Sequence, residues 1–266
     1  MSVKRRRLAS WLQGRGIEIG ALHRPLEVTP GASVTYVDRL PVAELREHYP
    51  ELADLPLTPV AVIGNAEDLS AFDDQTLDFV IANHLLEHLE YPIRGLLEFQ
   101  RVLRPGGLVY LALPDKRVTF DKKRALTTID HLLDEHRDQT APQNRPDHFL
   151  DWAVNVDGKA SGKEADDHVR YLMARDYSIH FHVWRPETFL EFLFAARAQA
   201  GVELDLLQFA APETEADDEF ILLLAKGPAD SPRLPPQAGA HRRIRSGLTG
   251  RLRRLAGVRR RLARRA

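Results

Sequence analysis

Between residues 16 and 114, short apolar runs alternate with polar stretches that are compatible with helices. This alternation predicts a layered α/β domain, because strands separated by helical crossovers of this length pair in parallel with right-handed connections. The predicted strands are 17–19, 34–37, 60–63, 77–82 and 108–113, and the predicted helices are 41–48, 67–72 and 85–103. The sequence Arg104-Pro105-Gly106-Gly107 is expected to end the last of these helices and turn the chain into the next strand.

The rhythm changes after residue 114. Residues 115–180 favour helices over strands, with a capped helix start at 127–130, and form an insertion long enough to cover a pocket. The α/β pattern then resumes with a helix over 186–200 and two strands over 202–209 and 219–225. We expect these two strands to form an antiparallel hairpin, because the connection between them is too short for a crossover helix.

The end of the chain differs from the rest. Residues 231–266 begin with a linker rich in proline and small residues and continue with apolar positions three or four apart among arginines. This spacing is typical of a basic amphipathic helix that binds an anionic membrane surface, although a solvated, disordered extension has the same composition. We therefore predict one domain over 1–230 and a separate tail, of which residues 241–266 either contact an anionic membrane or extend into solvent.

Charge and cysteine content exclude several classes of function. Residues 231–266 carry twelve arginines and no lysine or acidic residue, so the total charge of −1 leaves −13 on residues 1–230. An acidic body argues against nucleic acid as its main partner. The absence of cysteine excludes disulfides, thiolate zinc sites and cysteine nucleophiles. Without a secretory signal pattern, the expected location is the cytoplasm, at the inner face of the membrane if the tail binds there.

Three predicted strand ends carry residues that suit a nucleoside cofactor lying across the sheet edge. Gly20 ends the first strand and permits close approach of a ligand to the backbone. Asp38 ends the second strand, where a carboxylate can accept both ribose hydroxyls. Residues 64–68 follow the third strand and offer polar groups to an adenine edge. The glycines of the first turn are wrongly spaced for a pyrophosphate, which argues against a nicotinamide cofactor.

The run from 17 to 114 resembles the class I S-adenosylmethionine-dependent methyltransferases, especially their small-molecule branch. The strings that carry this resemblance are 18–20, 37–38, 64–69, 77–83, Leu86-Glu87-His88-Leu89 and 98–107, of which the last two are the most specific. The resemblance implies a Rossmann-like sheet that is mostly parallel and ends in an antiparallel hairpin, with the helical insertion added. It also implies S-adenosylmethionine as the cofactor.

The resemblance assigns roles to individual residues. Glu18 and Gly20 would border the methionine part, Asp38 would bind the ribose, Asn65 and Ala66 would meet the adenine, and Asn83 and His84 would lie beside the sulfonium. Two features depart from the family pattern: the first loop, 20–25, is not glycine-rich, and an amide stands at Asn65, where an acid is common. The amide oxygen of Asn65 can still accept a hydrogen bond from the adenine amino group.

Methyl transfer to a hydroxyl requires a general base within hydrogen-bond reach of the acceptor. The candidates are His84, Asp115, His180 and His182. His180 and His182 alternate along a predicted extended segment, which would put both on one face and in one site. The structural alternatives are a helix-start residue for His84 and a buried, backbone-bonded pair for the other two histidines.

Further strings suggest the acceptor. Residues 114–117 and 180–184 resemble a bacterial subgroup associated with surface-polysaccharide and glycan modification, which implies O-methylation of a glycan, a lipid-linked sugar or a related small molecule. The basic residues of 116–124 suit an anionic acceptor or, alternatively, a solvated loop. A different class of function is also open: a protein that keeps the fold as a binding scaffold and has lost catalysis.

One motif competes with the methyltransferase interpretation. Residues 84–88 have the H-x-x-E-H form of an inverted zinc protease. That function requires a helix running through both histidines and a further acidic ligand. We expect no such helix, because His84 directly follows an apolar strand, and we predict no metal site.

Overall fold

A computed structural model describes residues 2–214 and 217–227 of the chain. The predicted linker and basic amphipathic tail lie outside the described residues. The domain division near residue 230, the membrane contact and the cytoplasmic location therefore remain predictions. The described part of the chain contains no helix that is both long enough and apolar enough to cross a bilayer.

Seven strands form one sheet in the described residues, with the order β3-β2-β1-β4-β5-β7-β6. The strands are β1 Gly14–Ile19, β2 Ala32–Asp38, β3 Val62–Ile63, β4 Leu77–Asn83, β5 Leu103–Pro114, β6 Leu204–Ala210 and β7 Glu219–Lys226. The first five strands pair in parallel, whereas β7 is antiparallel to both β5 and β6. The predicted sheet, including its terminal hairpin, is confirmed.

Helices connect the strands and form the insertion. The α-helices are α1 Val3–Ala9, α2 Val42–His48, α3 Pro92–Val102, α4 Ile129–Asp138, α5 Ala141–Asn155, α6 Lys163–Ala174 and α7 Pro186–Gln199. Short 3-10 helices occur at Pro50–Leu52, Leu86–His88 and Phe120–Lys123. The helical insertion is confirmed, and the side chain of Thr128 caps α4 by accepting a hydrogen bond from the backbone N–H of His131.

Several predicted boundaries are wrong. The predicted helix over 67–72 is a series of turns, stabilised by hydrogen bonds between Asn65 and Asp68 and between Leu69 and Phe72. The predicted helix over 85–103 is two elements, because Pro92 begins α3 and keeps the residue before it out of the helical conformation. The Arg104–Gly107 sequence also lies within β5, whose pairing begins at Leu103 with a register shift.

Each face of the sheet buries its own apolar cluster. Along β4, Val80 and Ala82 pack with α3 and α7 on one face, whereas Phe79 and Ile81 pack with α1 on the other. This alternation follows the two-residue period of a strand, and both faces are covered, as is typical of parallel sheets. The sheet edge at the carboxyl ends of β1, β2 and β4 is therefore held by apolar packing on two sides.

The insertion has a core of its own. A third apolar cluster joins α5 and α6 to the segment that follows them, through Phe149, Trp152, Val169, Leu172 and Phe181. Three tryptophan and phenylalanine rings in this cluster are fully or nearly fully buried. Burial on this scale makes the insertion an ordered layer whose polar side chains are held in defined positions.

Gly16 in β1 has no room for a larger side chain, because it packs directly against an aromatic ring of β4. A Cβ atom at Gly16 would lie 2.2 Å from a ring carbon of Phe79. We expect Gly16→Ala to reduce the free energy of unfolding by about 1–3 kcal/mol, because overpacking forces the ring from its rotamer. Urea unfolding measures this change. Ser33→Ala, at an exposed position of β2, is the matched control and should change stability by less than about 0.5 kcal/mol; equal effects would contradict the packing described.

Candidate functional site

The carboxyl ends of β1, β2 and β4 bring three predicted residues into one row. Ile19 pairs with Val37 on one side and with Ala82 on the other. The next residues along the three strands are Gly20, Asp38 and Asn83, so they lie side by side at the sheet edge. Gly20 has a φ of 69°, and the nearest atom to a Cβ placed there would be a methyl of Leu85 at 3.5 Å. This strand-end row is the position predicted for a cofactor.

Asn83 of this row is hydrogen-bonded to Glu18 of β1. The amide of Asn83 donates to Oε1 of Glu18 over 3.1 Å, and the backbone N–H of Leu26 donates to the same carboxylate over 3.0 Å. The other side-chain atom of Asn83, Oδ1, is buried and has no hydrogen-bond partner among the described residues. An unpaired buried acceptor is rare, so a ligand with an N–H group fits this position.

Burial raises the pKa of Glu18 to about 7, although the hydrogen bonds from Leu26 and Asn83 act in the opposite direction. The carboxylate is fully enclosed by protein. Glu18 is therefore poised to gain or lose a proton near neutral pH, and a positively charged ligand group beside it would favour the ionised form.

The predicted ribose and adenine residues lie along the same edge. Asp38 is buried and accepts a hydrogen bond from the backbone N–H of Arg39 over 2.7 Å. Burial raises the pKa of Asp38. Asn65 already accepts a bond from the backbone N–H of Glu67 over 3.0 Å, which uses one of its two lone pairs, and Ala66 is buried beside it. One Asn65 lone pair remains for a ligand.

His84 follows β4 with a φ of 47°, so no helix runs through it, contrary to the requirement of the protease motif. Its Nε2–H donates to Glu219 over 3.0 Å, and its Nδ1 lies 3.6 Å from Glu87. Burial lowers the pKa of His84, but the two carboxylates outweigh burial and raise it to about 9. An imidazolium has no free lone pair, which argues against His84 as the base at neutral pH.

His180 lies against the segment that follows β4. Its Nδ1–H donates to Asp121 over 2.7 Å, and its ring centre is 4.7 Å from that of His88. Asp121 is buried and itself accepts from Arg124 over 2.9 Å. The hydrogen bond to Asp121 orients the ring through Nδ1 and leaves Nε2 as the nitrogen that can accept a proton.

The predicted strand alternation required His180 and His182 to share a site. In the structure the two histidines have different neighbours. The segment around both residues is irregular, and no strand is assigned there. His182 instead faces the rings of His131 and His148, and its Nε2–H donates to the carbonyl of Glu90 over 3.4 Å. Burial lowers the pKa of His182 to about 3, so its ring is neutral.

Asp115 is buried at the end of β5 and is engaged by its neighbour. The guanidinium of Arg117 donates to both of its oxygens, over 3.0 Å from Nε and 2.5 Å from Nη2. The guanidinium thus occupies both carboxylate oxygens, which argues against Asp115 as the base. The solvated-loop interpretation of 116–124 is also wrong in part, since Arg124 is buried and donates to the carbonyl of His180 over 2.7 Å.

Comparison with known proteins agrees with this geometry. Residues 14–111 match the family model described as "Methyltransferase domain". A demethylmenaquinone methyltransferase from Chlorobaculum tepidum is 35% identical over 97 residues, which are 36% of this chain and 37% of that protein. Residues 14–111, little more than a third of the chain, are therefore a methyltransferase domain. The predicted family and cofactor are thus confirmed, and the chain spans little more than a third of the length of this curated relative.

Solved methyltransferase structures are similar to this chain at low identity. The CurJ carbon methyltransferase shares 14% identity with a TM-score of 0.44, over 82% of this chain and 49% of that chain. A SAM-dependent methyltransferase from Methanosarcina mazei shares 18% identity with a TM-score of 0.40, over 80% of this chain and 92% of that chain. Likeness at this level carries no functional information, and the fold assignment rests on sheet order and strand direction.

Several buried polar residues near the site were not predicted from the sequence. Glu87 is fully buried, and neither of its oxygens has a hydrogen-bond partner in the described part of the chain. Asp121 and Glu219 were missed because their partners, His180 and His84, are far away in sequence. Two groups bring potential metal-ligand atoms within 4.8 Å of one another: Glu87, His88 and His180, and His131, Glu135 and His148. The four-residue spacing of His131 and Glu135 was the available signal for the second group.

The ionisation of Glu18 predicts a specific pH dependence of stability. Its pKa is about 7 in the folded domain and near 4.5 when exposed, so the folded state retains a proton that the unfolded state releases between these values. The free energy of unfolding therefore falls as the pH rises through this window. The Glu18→Gln variant cannot ionise and so lacks this loss. The free energy of unfolding of the variant minus that of the parent should therefore increase by about 3 kcal/mol between pH 4 and pH 8.

Denaturant titrations of the cofactor-free chain at several pH values measure this difference. Glu27→Gln, at an exposed position near the same loop, is the matched control and should show a constant difference from the parent. A pH-independent difference for Glu18→Gln would contradict the raised pKa.

Proposed function

We propose that the chain transfers a methyl group from S-adenosylmethionine to a hydroxyl oxygen of a glycan, a lipid-linked sugar or a related small molecule. The observation that carries the cofactor part is the strand-end row of Gly20, Asp38 and Asn83 in a matched methyltransferase domain. When bound, S-adenosylmethionine supplies an electrophilic methyl group on its sulfonium.

The side chains at the row suit the parts of this cofactor. The unpaired Oδ1 of Asn83 and the neighbouring carboxylate of Glu18 suit a methionine ammonium group. The Asp38 carboxylate suits two ribose hydroxyls, since one hydrogen bond from Arg39 leaves further lone pairs. Gly20 lets a ligand lie against the backbone between them. These residues would bind and orient the cofactor.

The His180–Asp121 pair supports an oxygen acceptor. A hydroxyl must lose its proton as it becomes an ether, and Nε2 of His180 is placed to accept that proton while Asp121 stabilises the resulting imidazolium. The 180–182 segment is hydrogen-bonded to the residues after β4, because the backbone N–H of Phe181 donates to Glu87 over 2.7 Å. His180 is thereby attached to the segment that follows Asn83 in the row.

The acceptor class is supported by sequence resemblance. The strings 114–117 and 180–184 resemble glycan-modifying enzymes, and the second string contains the proposed base. The Chlorobaculum relative is a demethylmenaquinone methyltransferase by name, which supports a small-molecule acceptor without indicating a sugar. A hydroxyl oxygen of a glycan agrees both with this resemblance and with the presence of a base, which a hydroxyl acceptor requires.

The ribose role of Asp38 gives the most direct prediction for cofactor binding. We expect Asp38→Ala to weaken S-adenosylmethionine binding at least tenfold, because two charge-assisted hydrogen bonds are lost. Isothermal titration calorimetry of the full chain measures the affinity. Asp73→Ala, at an exposed position outside the row, should bind like the parent. Equal affinities of the parent and of Asp38→Ala for the cofactor would contradict the proposed cofactor position.

The role of His180 predicts a loss of turnover without a loss of cofactor. His180→Gln should reduce kcat by about 100-fold or more, the usual contribution of a general base. The affinity for S-adenosylmethionine should stay within about twofold of the parent. The assay follows tritiated methyl transfer to undermethylated glycan from cells that lack the gene. His168→Gln, in an exposed ion pair with Asp157, is the matched control.

Asp121→Asn separates base orientation from folding. If Asp121 orients His180, this positioning variant should lower kcat and shift the acidic limb of the pH–rate profile while leaving the KM for the cofactor unchanged. Full turnover by His180→Gln would eliminate this base. Cofactor binding without turnover on any glycan fraction would favour the scaffold function instead.

A further inference from the structure

Three side chains from the first two helices of the insertion converge on one point, and we call them the α4–α5 histidine cluster. His131 and Glu135 lie one turn apart on α4, which places them on the same helix face, and His148 comes from α5. Nε2 of His131 lies 3.2 Å from Oε2 of Glu135, and Nε2 of His148 lies 3.5 Å from Oε1. One ligand atom from each residue falls within 4.8 Å of the others.

Two atoms of this cluster face each other without a hydrogen bond. Nε2 of His131 and Oε2 of Glu135 are both buried, and neither has a hydrogen-bond partner within 2–214 and 217–227. Glu135 as a whole is only 2% exposed. Buried polar atoms without a partner are rare in folded proteins, so an imidazole nitrogen and a carboxylate oxygen that lie 3.2 Å apart and are both unpaired indicate a missing ligand that both atoms would contact.

The spacing of the rings matches a shared metal ion. Two imidazoles bound to one tetrahedral zinc, at Zn–N distances of about 2.0–2.1 Å, have ring centres about 5 Å apart. The ring centres of His131 and His148 are 5.2 Å apart. Two histidines and one glutamate, without sulfur, form the His₂Glu donor set that binds zinc with one coordination position open.

Neighbouring groups orient the cluster. The amide of Asn144 donates to Oε1 of Glu135 over 2.9 Å and so fixes the carboxylate. His182 lies beside both histidine rings, with ring centres 5.5 Å from His148 and 6.0 Å from His131. Its Nδ1 is buried and also lacks a hydrogen-bond partner in the described residues. Hydrogen bonds that hold the ligands from outside are typical of metal centres.

We propose that His131, Glu135 and His148 bind a divalent transition-metal ion of the zinc type, with His182 adjoining the site. The ion joins α4 to α5 and pairs the buried atoms of the cluster. The sequence carried no expectation of a metal here, because His148 lies outside the helical turn that holds the other two ligands. The site is independent of the proposed methyl transfer and of the matched methyltransferase segment.

The second histidine group is the competing location. Glu87, His88 and His180 also come within ligand distance. There, however, the Glu87 carboxylate has the His84 imidazolium 3.6 Å away as a counter-charge, and His180 is paired with Asp121. The α4–α5 histidine cluster has an unpaired imidazole nitrogen facing its carboxylate, which favours it as the metal site.

Zinc titration of the full chain tests the site. The chain is freed of metal with a chelator, titrated with Zn²⁺ and analysed for bound zinc by mass spectrometry after desalting. We expect one zinc per chain, and at least tenfold weaker binding in Glu135→Gln and His148→Gln. His136→Gln, a histidine on α4 outside the cluster, and Glu87→Gln, in the competing group, should bind zinc like the parent.

X-ray absorption of the zinc-loaded parent chain identifies the metal ligands directly, so this second test does not depend on whether the variants fold. The expected spectrum shows nitrogen and oxygen neighbours at about 2.0–2.1 Å with scattering from two or three imidazoles. The proposal is overturned if the parent retains no zinc, if Glu135→Gln binds zinc as the parent does, or if Glu87→Gln alone loses it. An oxygen-only coordination shell would overturn it as well.

Discussion

The position of β1, hydrogen-bonded to β2 on one side and to β4 on the other, is the constraint on which the rest depends. Parallel pairing makes the three strands end at the same level, so Gly20, Asp38 and Asn83 form a row although they are far apart in sequence. Apolar clusters on both faces keep this edge in place. The cofactor position follows from backbone hydrogen bonds, whereas the affinity for the cofactor depends on the side chains that the row exposes.

Beside this row, two buried carboxylates decide the charge of His84. Glu219 and Glu87 hold His84 as an imidazolium, whereas the hydrogen bond from His180 to Asp121 uses Nδ1 and leaves Nε2 available to a ligand. Two histidines close to the same strand end thus have different capacities to accept a proton. Proton acceptance at this site is a property of the surrounding acids more than of the residue type.

Local patterns predicted the sheet well, because strand period, strand length and crossover length are encoded in neighbouring residues. The strands, the terminal hairpin and the cap at Thr128 follow from such patterns. The helix expected over 67–72 was wrong because turn hydrogen bonds replace it, and the shared face of His180 and His182 was wrong because their segment is not a strand. The pairing of Asp121 with His180, of Glu219 with His84 and of Glu135 with His148 depends on tertiary contacts, which a single sequence does not reveal.

The central claim is that S-adenosylmethionine lies across the ends of β1, β2 and β4. Direct ultraviolet cross-linking of the radiolabelled cofactor to the full chain, followed by peptide mapping, tests this claim most directly. The account predicts that the labelled peptides contain residues 18–20, 38 or 83–84, and that excess S-adenosylhomocysteine abolishes the labelling. Labelling confined to peptides outside the strand-end row, or labelling that the competitor leaves unchanged, would contradict it.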